Sequence, residues 1–251
     1  MKKILLLLFL SILLFNACSN SVENEPVELP SLEERIGQML VIGFRGLSVS
    51  EDEQIVTDIQ SGRIGGVVLY AKDVSLGSDV RNIESYDQVK SLISSLQSYA
   101  EGIPLFVAVD QEGGNVCRLK EKFGFPSTVS QQYLGDLDNE DTTKFYADRT
   151  AGLLYSLGFN LNFAPVVDVN IDHESPAIGK IERSFSDDPE IVAKHSQVIV
   201  DVHQDYNVLT TLKHFPGHGS ASSDSHLGFT DVTSTWQESE LEPYRNLINN
   251  G

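Results

Sequence analysis

Residues 213–226 read K-H-F-P-G-H-G-S-A-S-S-D-S-H and hold three of the chain's six histidines. Pro216, Gly217 and Gly219 forbid regular helix, so the segment must be a loop. Asp224 and His226 flank one serine, and in extended backbone both side chains can point the same way. A carboxylate beside an imidazole orients the ring, which can then donate a proton and later retrieve it. Two other chemistries use the same residue types. A metal would draw on His214 and His218, but the Pro and Gly between them remove the helix that makes such a pair a chelate. Lys213 would also oppose a cation. A Ser-His-Asp hydrolase would use Ser225 or another serine, without the G-x-S-x-G elbow. In the remaining reading the histidines pack or shape the loop, which suits His218.

The elements that must hold this loop follow from hydropathy. Short apolar runs occupy 39–44 (MLVIGF), 65–70 (GGVVLY), 105–110 (LFVAVD), 161–168 (LNFAPVVD) and 208–214 (VLTTLKH). Each run is continuous rather than alternating, as in strands covered on both faces of a parallel sheet. Between them, 86–99, 142–157 and 189–206 carry apolar residues at helical spacing, and 238–248 is a last helical candidate. Asp187-Asp188-Pro189 starts one helix and Gly158 stops another. Five strand–helix repeats predict an α/β fold. No G-x-G-x-x-G or P-loop follows a strand, which argues against a nucleotide-binding sheet. Asp110, Asp168, Lys213 and His214 fall at strand C-terminal ends, where a TIM-type (β/α)8 barrel builds its active site. Five units of eight can be counted, so the barrel is expected to be truncated.

Composition narrows the partners. The formal charge is −18 at pH 7, with 41% hydrophobic and 22% charged residues. An acidic surface repels phosphate backbones and anionic headgroups, so no nucleic-acid partner is expected. Lys2 and Lys3 precede an apolar run over 4–15, too short to span a bilayer but suited to a signal peptide. Leu14-Phe15-Asn16-Ala17-Cys18 looks like a bacterial lipobox. Residues 1–17 are therefore expected to be removed, Cys18 to carry a lipid in the cell envelope, and 18–30 to form an acidic tether. The only other cysteine, Cys117, reads as a small buried residue.

Four motifs in order carry a resemblance. They are V-D-Q-E-G-G over 109–114 with Arg118, N-F-A-P-V-V-D over 162–168, E-R-S-F over 182–185 with Asp188-Pro189, and K-H-F-P-G-H-G followed by D-S-H. From residue 31 to the end the chain resembles glycoside hydrolase family 3, of the β-N-acetylglucosaminidase type. The resemblance implies that His226 is the acid/base and Asp224 its partner in a mobile loop. It implies that Asp110, Arg118, Arg183, Lys213 and His214 grip the sugar, and that no cofactor or metal is needed. Carboxylates accept hydroxyl protons, while Arg and Lys donate to hydroxyls or an acetamido carbonyl. Glu112 and Asp168 read as supports, and Gly113-Gly114 as a tight turn.

The implied reaction is retaining hydrolysis of terminal non-reducing β-linked N-acetylhexosamine. Such a reaction needs a carboxylate nucleophile facing the acid/base. The family sets it several dozen residues beyond D-S-H, whereas 25 residues follow His226 (251 − 226). The nucleophile is thus expected to be missing and this piece inactive alone. A glycan-binding lipoprotein, a phosphorylase or a β-glucosidase of the same family are the alternatives. Phosphorolysis stays open because a neutral imidazole does not repel a phosphate dianion.

Overall fold

The computed structural model describes residues 30–250. The leader, the tether and Cys18 lie outside the described residues. Five short parallel strands form one sheet: β1 (Val41–Gly43), β2 (Gly66–Val68), β3 (Phe106–Val109), and the two-residue pairs Leu161–Asn162 and Leu209–Thr210. The last two become β6 and β7 once a hairpin, β4 (Gln111–Gly113) with β5 (Val116–Cys117), is counted. Register runs Val67 to Val107, Ala108 to Leu161 and Asn162 to Thr210.

The sheet order is β1-β2-β3-β6-β7, which is chain order without reversal. A doubly wound sheet reverses at a switch point, whereas a barrel adds each new strand on the same side. The topology is therefore that of part of a TIM-type barrel. Short ladders reflect local chemistry: the expected strand over 161–168 pairs regularly only at β6, because Pro165 has no N–H to give. It resumes as an isolated bridge between Val166 and Lys213.

Helices lie where apolar spacing and caps agree. The helix Tyr86–Ser98 buries Val89, Leu92, Ile93 and Leu96, and the Ser85 side chain accepts from the Gln88 N–H. Each of those side chains contributes about 1.5–3 kcal/mol by leaving water. The helix Glu140–Leu157 is capped by Asn139 and stopped by Gly158 at φ +97°. Pro189–Asp205 opens with Asp188 accepting from the Glu190 N–H. The candidate at 238–248 is a 3-10 turn, Glu238–Leu241, continuing as the α-helix Glu242–Asn250. Three short helices have weak sequence signals: Leu32–Gly37, Gln54–Gln60 and Gln131–Leu137. Cys117 is free and buried.

Candidate active site

Strand β3 ends at Val109 and delivers Asp110, and the β4–β5 hairpin turns the chain back so that Arg118 returns to it. Gln111 holds the hairpin base, its Oε1 accepting from the Arg118 and Leu119 N–H groups at 3.0 Å each. The turn needs glycine: Gly113 has φ +107°, and a Cβ there would sit 2.3 Å from the Val129 carbonyl oxygen. Arg118 Nη2 then donates to Asp110 Oδ2 at 3.2 Å. Lys213, delivered by β7, reaches Asp110 Oδ1 at 2.9 Å and Glu112 Oε1 at 2.6 Å. Arg183 meets Glu112 with a fork of two 2.8 Å bonds and gives a third to the Ala177 carbonyl. Such bidentate charge-assisted pairs fix orientation as well as energy.

Burial opposes charge here, and the pairing wins. Burial pushes the Asp110 carboxyl up, but Lys213 and Arg118 outweigh it and hold it below the ordinary carboxylate range. Burial likewise works to lower Arg183, while Glu112, with help from Asp168 and Asp110, leaves its guanidinium more firmly protonated than usual.

Asp168 organises the next layer. Wholly buried, it accepts at Oδ1 from the His214 and His218 backbone N–H groups, at 3.2 and 2.8 Å. Its Oδ2 lies 2.6 Å from His214 Nδ1, and His214 Nε2 lies 2.9 Å from Arg183 Nη2. A guanidinium can only donate, so Nε2 accepts and Nδ1 carries the proton given to Asp168. Gly219 lets the chain pass beneath: a Cβ there would fall 1.7 Å from the Val169 carbonyl oxygen.

Asp110, Arg118, Arg183, Lys213 and His214 thus form one network, with Glu112 and Asp168 as its inner carboxylates. Asp224 and His226 form a separate pair. His226 Nδ1 lies 2.7 Å from Asp224 Oδ1, which also accepts the His226 backbone N–H at 2.9 Å. That backbone bond, then the ring bond, holds the Asp224 carboxyl below its ordinary range. The His226 side chain is 76% exposed, and no hydrogen bond or ion pair joins it to the shell.

Several supports have faint sequence signals. Glu240 is buried, completes a capping box with Gln237 and accepts from the Ser220 N–H at 3.3 Å, bracing the root of the D-S-H loop. Gln131 exchanges two bonds with the Val166 backbone, and Asn162 bonds Gln111 and His203. Their only advance mark is a polar residue next to or inside an apolar run.

Residues 31–251 match the glycosyl hydrolase family 3 N terminal domain. The chain is 35% identical over 196 residues to beta-hexosaminidase A of Pseudoalteromonas piscicida, covering 74% of this chain and 31% of that protein. It is 31% identical to beta-hexosaminidase LpqI of Mycobacterium tuberculosis, covering 89% and 54%. Among solved structures it resembles a family 3 β-N-acetylglucosaminidase of a Paenibacillus species, with TM-score 0.77 and 32% identity over 89% of this chain and 41% of that one. NagZ of Neisseria gonorrhoeae, bound to N-trifluoroacetyl-D-glucosamine, gives 0.72 and 28% over 84% and 60%. The chain spans about half or less of the length of the first of these relatives. On a match over residues 31–251, the chain belongs to glycosyl hydrolase family 3, as its N-terminal domain.

Proposed function

We propose that the protein to which this chain belongs removes terminal non-reducing β-linked N-acetylglucosamine with retention of configuration. The observation that carries this reading is the Asp224–His226 pair: Asp224 engages Nδ1, leaving Nε2 open to a substrate. The neighbouring charged network suits a polar sugar, since Asp110 can accept hydroxyl protons while Arg118 and Lys213 donate. The substrate class follows from the names borne by its relatives.

In the first half-reaction the C–O bond to the leaving sugar breaks, and its oxygen takes the proton from His226 Nε2. The anomeric carbon bonds to a carboxylate nucleophile not assigned to any described residue. In the second, water attacks that carbon, His226 Nε2 takes its proton and the carboxylate is released. Asp224 keeps the ring oriented throughout.

The test is hydrolysis of a chromogenic β-N-acetylglucosaminide by the whole protein, beside His226→Ala and a β-glucoside control. Turnover of the N-acetyl substrate alone, with kcat down by about 10²-fold or more in the variant, is expected. A folded protein inactive on both sugars would sink the reading. Added inorganic phosphate separates hydrolysis from phosphorolysis through the product formed.

The Cys18 lipobox further leads us to place the protein on the bacterial envelope, held by a lipid. Incorporation of labelled palmitate that survives Cys18→Ser would exclude this attachment.

A further inference from the structure

The loop carrying the dyad is held from one point. Among the described residues, one hydrogen bond and no ion pair leaves the segment 222–230: Ser225 Oγ to His218 Nε2, 3.0 Å. The remaining bonds of the segment are internal, such as Ser223 to Thr230 and Asp224 to His226. Ser225 lies between the two members of the dyad, so fixing its position fixes both flanks.

His218 itself is firmly rooted. Its backbone N–H donates to buried Asp168, and its ring lies edge-on to His214 at 6.1 Å between centroids. Ring Nδ1 is buried and has no partner. An unpaired buried N–H is rarer than an unpaired acceptor, so Nδ1 is the bare nitrogen and Nε2–H donates to Ser225. The Ser225 hydroxyl hydrogen stays free to turn elsewhere.

We infer that His218 is a positioning residue for the acid/base, passing the placement of Asp168 to the Asp224–His226 pair through Ser225. This rests on the reading of His226 given above. His218 touches no reacting atom in this scheme; it limits how far the imidazole strays from the leaving oxygen.

The role has a signature that fold support lacks. A misplaced acid matters most when the leaving group is a poor one, and little when it is an acidic phenol. The whole protein would be assayed as His218→Leu, His218→Gln and Ser225→Ala, each also combined with His226→Ala. Substrates would be a β-linked N-acetylglucosaminyl disaccharide and the nitrophenyl glycoside. His218→Leu and Ser225→Ala should each lower kcat/KM on the disaccharide about fivefold, the scale of one hydrogen bond. On the nitrophenyl substrate the loss should stay under about twofold. His218→Gln, which keeps a donor, should recover most of the activity. Neither substitution should add to His226→Ala.

Equal losses on both substrates, additive losses in the His226→Ala background, or no benefit of Gln over Leu would overturn the inference. Ser225→Ala, at an exposed position, carries the test if His218→Leu does not fold. Full activity of His226→Ala would instead overturn the reading beneath it, and the role of His218 with it.

Discussion

The charged network and the dyad loop are built on opposite plans. In the network the two inner carboxylates each hold several partners: Glu112 serves Lys213 and Arg183, and Asp168 takes three N–H groups. In the loop His226 has one side-chain partner and is mostly open to water. Recognition of a fixed shape gains from groups already in place, because no ordering is needed when the ligand arrives. A group that must donate a proton and then retrieve it gains from freedom to follow the substrate. The difference teaches where stability and activity separate.

Mutations can break that separation in order of effect. Glu112→Ala should be the most damaging, leaving buried Arg183 without its fork partner and Lys213 with Asp110 alone. We expect a loss of about 3–5 kcal/mol, read from urea unfolding. Gly219→Ala comes next, since its methyl meets backbone rather than a yielding side chain. About 1–3 kcal/mol is expected, with an unfolding midpoint below wild type at any pH. A smaller effect is tied to pH. Burial lowers the His203 imidazole below its ordinary range, although its bond to the Ile199 carbonyl opposes this. The unfolded chain therefore takes up a proton that the folded ring refuses. Stability should be full above the unfolded value of about 6.5 and fall as pH drops through it toward the folded one. His203→Asn should flatten that slope between pH 8 and pH 5. Asp224→Asn should do least to stability, leaving the urea midpoint unmoved while activity falls steeply. A large drop in midpoint would mean the loop is part of the core after all.

Much of the network was legible because barrel chemistry sits at strand ends and apolar runs mark the strands. That rule places Asp110, Asp168, Lys213 and His214 from the sequence alone. It does not place Arg118 and Arg183: one follows a two-residue strand too short to show alternation, the other sits in irregular backbone. Their positions came from motif resemblance. The helix Gln54–Gln60 escaped because Glu53 makes no side-chain cap and one turn of apolar residues sets no period. Glu112 read only as a support, and a support is where its burial puts it. What no pattern announces is the hold on the loop. The spacing of Asp224 and His226 suggests their pairing, but the bond from His218 to Ser225 depends on how a glycine-rich turn folds back.

The network also has a property set by its charges as a sum. By formal charge, Asp110, Glu112 and Asp168 contribute three negatives, and Arg118, Arg183 and Lys213 three positives. The formal charges of these six groups cancel within a chain of formal charge −18. On the function proposed above, an uncharged sugar has no net charge for the protein's far field to act on, and its KM should be indifferent to ionic strength. An anionic glycan has to cross that field first, and added salt would ease its approach. If the proposed activity holds, selection among glycans begins in the solvent, well before any side chain is touched.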